Sequence, residues 1–200
     1  MTARPRHPIA VGFIVLVLTG LALSSTPIFG QSAAPPERFR AFAIDLNDLG
    51  SARSGFVDIV VNRWPTTVEQ ETLLGALDRG QDAFVKALMK TRRVGYIQTP
   101  DSIGWGLHYV QVVPGKDGGR TITLMTERPV GFWETLNRPI SIDYPLMWIE
   151  LRLDKDGEGE GTMFLAAKAS GSLKHRFMVI ENFATQAVRL TNVHTLRQPT

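Results

Sequence analysis

Among the chain's four histidines, His108 is the one placed for acid–base chemistry. It lies in Trp105-Gly106-Leu107-His108-Tyr109, and on a regular strand it shares a face with Val110 and Val112. Imidazole titrates near neutrality without any perturbation. A carboxylate such as Glu134 or Asp143 beside it would complete a general acid–base pair of hydrolase or isomerase type. The competing reading is a structural histidine, buried and satisfied by hydrogen bonds or lying on the surface. Other chemistries lack their residues. No Gly-x-Ser-x-Gly elbow occurs, and Ser54 and Ser172 sit beside glycines as turn residues do. No His-Glu-x-x-His zinc pattern and no phosphate-binding glycine loop is present. With no cysteine there is no thiol nucleophile, zinc–thiolate site or iron–sulfur cluster. Asp154, Asp156 and Glu158 occupy positions 1, 3 and 5 of a calcium-type loop, but position 12, where a bidentate acid is required, is Leu165. Asp-Gly turn chemistry explains the segment. No catalytic residue, metal ligand or cofactor site is assigned.

Aromatic residues offer a different chemistry. Tyr96, Trp105, Tyr109, Phe132, Trp133, Tyr144 and Trp148 fall within about fifty residues, interleaved with Arg128, Glu134, Arg138 and Asp143. Indole and phenol rings combine apolar area with a polar handle, which suits ligand and partner surfaces. Trp105, His108, Tyr109, Arg128, Trp133 and Glu134 are the candidate ligand-binding set. The alternative is that these rings plug the ends of a β structure.

The elements that must position these residues read as follows. Strands are expected at 39–46, 55–64, 94–99, 107–113, 121–127, 146–153, 162–169, 176–183 and 187–193, from period-two alternation and β-branched content. Thr66 to Thr91 is helical. Thr66 with Glu69, or Thr67 with Gln70, forms a capping box, Gly80 divides the stretch, and Phe84, Ala87 and Leu88 mark the buried side of the second helix. The fold class is α+β. It is mainly an antiparallel β meander of about eight or nine strands, a barrel or sandwich, with a two-helix insertion after the second strand. The helices would cover an open end or a face.

Residues 1–30 form a separate unit. Arg4 and Arg6 precede Ile9–Leu23, a run of 15 residues without a charge, and Ser24, Ser25, Thr26, Pro27 and Gly30 follow. This is a signal-peptide pattern, with cleavage before Gln31 or, as the second choice, nearer Ala33 or Ala34. An uncleaved anchor is the alternative, although 15 helical residues reach only about 22 Å against a hydrocarbon core of roughly 30 Å. Residues 31–37 are a flexible lead-in and 38–195 a single β-rich domain. The formal charge is +3. Cleavage removes Arg4 and Arg6 and no acid, leaving +1, so a nucleic-acid partner is not expected.

The segments Arg93-Val94-Gly95-Tyr96-Ile97, Thr99-Pro100-Asp101-Ser102, Asp117-Gly118-Gly119-Arg120, Arg128-Pro129-Val130-Gly131-Phe132-Trp133-Glu134 and Ile142-Asp143-Tyr144-Pro145 resemble a group of small, exported, uncharacterised bacterial proteins. That resemblance implies export and one β-rich domain, and it transfers no functional residue. The resulting expectation is an exported, periplasmic or secreted, non-catalytic protein. It would bind a small apolar ligand or an envelope protein, and would meet a membrane only through an uncleaved signal. The alternative is the acid–base enzyme centred on His108.

Overall fold

The computed structural model describes residues 13–17, 35–45, 53–100, 102–128, 140–174, 177–183 and 186–196. Among these, eleven strands build one antiparallel sheet: β1 (Phe13–Val17), β2 (Glu37–Asp45), β3 (Arg53–Val61), β4 (Gly95–Gln98), β5 (Trp105–Leu107), β6 (Tyr109–Pro114), β7 (Arg120–Glu127), β8 (Leu146–Leu153), β9 (Glu158–Ser172), β10 (Phe177–Asn182) and β11 (Val188–Leu196). Helices α1 (Thr67–Leu77) and α2 (Gln81–Lys90) follow β3, the second strand after residue 30. The fold is therefore α+β and mainly antiparallel. The strand count rises because His108 divides the 107–113 strand and because Phe13–Val17, inside the expected signal, pairs antiparallel with β10.

Hydrogen bonds order the sheet as β5-β4-β3-β2-β11-β9-β8-β7-β6, with β10 and then β1 continuing from β9. The ladder does not close on itself. Its two edge strands, however, are consecutive pieces of chain, separated by His108 alone. The His108 amide donates to the Met125 carbonyl at 3.1 Å, carrying the β6–β7 ladder up to that junction. The sheet thus curls into an open barrel. Its interior is one apolar cluster drawn from β2 to β9 and β11, including Phe39, Ile59, Leu107, Val110, Leu124, Ile149 and Leu190.

A second cluster lies outside the curl. Leu73 and Leu77 of α1 and Phe84 and Leu88 of α2 pack on Tyr109, Met125, Trp148, Phe164, Met178 and Ile180. The helices cover a face of the sheet. Helices of ten and eleven residues are marginal alone, so this packing holds them. Their starts follow the chain's local chemistry. Thr66 caps α1: the Glu69 amide donates to its Oγ1 at 3.2 Å and its own amide donates to the Glu69 carboxylate at 2.8 Å. Gly80, at φ 101°, separates the helices.

Glu69 also accepts two bonds from Arg63, at 3.0 and 2.9 Å, while Arg63 donates to the Arg92 carbonyl at 2.6 Å. One guanidinium therefore ties the end of β3, the start of α1 and the α2–β4 link. The Arg63 hydrogen bond, more than any other contact, holds the Glu69 carboxyl below its ordinary range. A depressed folded-state pKa means the contribution is complete above about pH 5 and is lost as acid protonates the group. Glu69→Gln is expected to lower stability by about 1 kcal/mol at neutral pH, and by progressively less below about pH 4, in denaturant melts across that range.

Candidate functional site

Period-two alternation sends Ala41 and Ala43 of β2 and Gly55, Val57, Ile59 and Val61 of β3 toward the barrel interior. In the β2–β3 register Ala43 faces Gly55. Two of the smallest side chains thus oppose each other where these strands end, and the interior is not filled there. The space is an open cavity of about 520 Å³, lined by Ala43, Asp45, Ser54, Gly55, Phe56, Val57, Thr99, Pro100, Met163, Leu165 and Val188. Val57, Met163 and Val188 belong to the interior cluster and form its floor. Asp45, Ser54 and Thr99, at the ends of the adjacent strands β2, β3 and β4, supply its polar side.

An ion pair stands at the opposite end of the barrel. Glu37 precedes Phe39 by two residues on β2, and Arg120 precedes Ile122 by two on β7, so both share the interior-facing register. They meet in a two-pronged ion pair, with Nη1 and Nη2 donating to the carboxylate at 3.0 and 2.5 Å. The Arg120 guanidinium lies 5.9 Å from the centroid of the Phe39 ring, over the apolar floor. Trp64 packs against the interior cluster just beyond β3. Among the described residues, the Glu37–Arg120 pair lies at one end of the barrel and the cavity at the other.

The candidate ligand-binding residues from the sequence are placed elsewhere, and none of the four described ones lines the cavity. Trp105 is exposed at the start of β5, and its Nε1 donates to the Glu127 carbonyl at 2.8 Å. His108 is buried, and its Nδ1 donates to the carbonyl of Thr91, the C-cap of α2, at 2.8 Å. That bond pins α2 to the junction where β5 becomes β6. Tyr109 is buried in the cluster beneath the helices, where its hydroxyl donates to Gln111 Oε1 at 2.7 Å and burial raises its pKa. Arg128 is buried as well. Its amide donates to the Pro145 carbonyl at 2.9 Å, its Nε to the Tyr144 carbonyl at 2.7 Å and its Nη2 to the Ser141 carbonyl at 2.9 Å. It holds the two ends of the β7–β8 connection together. Trp133 and Glu134 lie outside the described residues.

Polar groups near these residues are engaged in structure, among them the Asp143 backbone carbonyl and the carboxylates of Glu181 and Asp154. The Asp143 carbonyl accepts from Gln81 Nε2 at 2.9 Å. Tyr144 donates to Glu181, and that bond, with the carboxylate's charge, pushes the phenol pKa up to about 12. In the β8–β9 turn, Asp154 accepts from the amides of Asp156 and Glu158 at 2.8 and 3.0 Å, which holds its carboxyl low. No group of three or more His, Asp or Glu side chains among the described residues is arranged to hold a metal ion.

Sequence reasoning had no access to the cavity residues, because small side chains such as Ala43 and Gly55 carry no chemical signature. The signal that could have pointed to them is their pairing: two small residues opposite each other at the mouth of an otherwise large-residue interior. Comparison with protein-family models, with curated proteins and with solved structures gives no match.

The hydrogen bond to Thr91 makes His108 a structural tie between α2 and the sheet junction. His108→Phe keeps a flat aromatic ring, somewhat larger, and removes the donor. It is expected to cost about 1–3 kcal/mol in thermal or denaturant melts.

Proposed function

We propose that this is an exported, non-catalytic protein that binds a small apolar ligand in the open end of its curled sheet. The observation that carries this reading is the asymmetry of the barrel. One end carries the Glu37–Arg120 ion pair, and the other, among the described residues, holds a cavity of about 520 Å³ with an apolar floor and a few polar groups on one side. Ligand pockets have this size and composition. Two of the large apolar side chains that are exposed, Phe56 and Leu165, line the cavity, so an apolar molecule meets apolar surface on its way in. The acid–base alternative draws no support from the placement of His108, which is buried and bonded to a backbone carbonyl. Export rests on the signal-like N-terminus. Cleavage before Gln31 would remove β1 and leave the outer edge of β10 unpaired.

Two experiments test this. A Cβ built on Gly55 meets nothing within 4 Å, so a larger side chain there enters the cavity without striking the backbone. Titration with Nile red, an uncharged apolar dye, is expected to show saturable binding to the purified protein. In Gly55→Phe the affinity is expected to fall at least about tenfold with stability within about 1 kcal/mol of the parent. Unchanged affinity in that variant, or no binding by the parent, would reject the site. For export, N-terminal sequencing of the chain expressed in a secreting bacterium is expected to begin at Gln31, and an intact N-terminus in the membrane fraction would contradict it.

A further inference from the structure

Resting on cleavage before Gln31, we infer that removal of the leader opens β10 as the contact through which two copies of this chain join, β10 against β10, in one continuous antiparallel sheet. Strand β1 shows what that edge accepts. Its five residues, Phe13–Val17, pair antiparallel with Phe177–Glu181, and Val15 stands opposite Val179. The other margins of the sheet, β5 and β6, run into each other through His108. Cleavage therefore leaves β10, among the described residues, as the strand that loses a neighbour. Little in β10 guards that edge. Exposed edges are ordinarily protected by Lys, Pro or a bulge. Phe177–Asn182 holds no Lys, Arg or Pro and keeps register with β9 over six pairs. Its one charged residue, Glu181, accepts the hydroxyl of Tyr144.

The sequence of β10 identifies a second copy as the replacement strand. β1 reads Phe-Ile-Val-Leu-Val, and the first five residues of β10 read Phe-Met-Val-Ile-Glu. Consider a two-fold pairing centred on Val179. Phe177 of the second copy then takes the position of Phe13 opposite Glu181, and Met178 that of Ile14 opposite Ile180. Val179 takes that of Val15 opposite Val179, and Ile180 that of Leu16 opposite Met178. Two of the residues are identical, and two exchange one long apolar residue for another. Only Glu181 in place of Val17 changes character, and the two-fold axis sets the two Glu181 positions at opposite ends of the paired strands. An antiparallel pair accommodates a two-fold axis through its centre, so the same edge serves both copies. Main-chain hydrogen bonds and apolar cross-strand pairs supply the attraction. Each processed chain carries one such edge, so the partner is present in equal amount.

The test uses the chain as a secreting bacterium exports it, with its N-terminus read by intact mass and its association followed by sedimentation across the micromolar range. One strand pair is a small interface of the transient class, so half-dimerisation on the order of 10 µM is expected for the chain beginning at Gln31. Val179→Lys and Val179→Glu each set like charges directly opposite each other at the centre. Each variant alone is expected to dimerise at least about tenfold more weakly. Mixing the two is expected to restore the dimer, because opposite charges then meet, and that recovery also shows that both variants fold. A chain beginning at Gln31 that stays monomeric overturns the inference. So does a dimer that both variants form as well as the parent, or a mixture that stays monomeric. A monomer that instead takes up a synthetic peptide of residues 13–17 assigns the edge to a different apolar strand and overturns it too. An intact N-terminus rejects cleavage, and the inference with it, before any sedimentation is read, so the two failures are told apart.

Discussion

Neighbouring backbones crowd one another when an antiparallel sheet coils tightly, and this sheet relieves the crowding with glycine at its closest approaches. A Cβ on Gly95 would lie 1.8 Å from the Val60 carbonyl oxygen, and one on Gly159 would lie 1.9 Å from that of Arg152. No side chain fits at either place. These are contacts between β4 and β3 and between β9 and β8, on two sides of the curl. With the strands drawn in, β5 and β6 become two halves of one run of chain, and the sheet wraps a single apolar interior. The ion pair at one end and the cavity at the other both follow from that wrapping, since each draws on strands that do not neighbour one another in sequence.

The outer layer depends on the same curl. Strand β8 is buried on both faces: Met147, Ile149, Leu151 and Leu153 face the interior, while Leu146 and Trp148 lie under the helices. Trp148 stacks on Phe164 at 4.8 Å between centroids. Side-chain ties fix the helices to this face. Gln81 donates to the Asp143 carbonyl and accepts from the Ala169 amide at 3.2 Å, and Asp78 accepts from the Leu173 amide at 3.2 Å. His108 adds the tie from the strand junction to Thr91. The polar residues that stand out in the sequence are largely used to hold two layers and one long connection in place.

Local chemistry was readable where a residue's effect is felt within a few positions. Thr66 with Glu69 predicted the start of α1, and both bonds of the capping box are present. Gly80 predicted the break between helices, and alternation from Leu146 to Leu153 predicted β8. The turn at Asp154 reads as Asp-Gly chemistry and closes by carboxylate-to-amide bonds. The alternation rule failed at Glu150. On β8 it alternates with the interior-facing Ile149 and Leu151, and it is nonetheless buried, with Arg152 Nε donating to it at 2.8 Å. The other face of that strand is covered by a layer that periodicity within one strand does not register.

By itself the sequence determined the fold class, the helix pair and its caps, nearly every strand, and a near-neutral domain free of cysteine. Each of these depends on hydrogen bonds and side-chain periodicity within a short stretch of chain. Only the tertiary structure decided that the sheet curls and brings Glu37 to Arg120, that Ala43 and Gly55 meet across β2 and β3 beside Met163 and Val188, and that His108, Tyr109 and Arg128 are structural ties away from the cavity. A void has no residue of its own. It exists where small side chains from distant positions come together, and which positions meet is set by strand register and curvature.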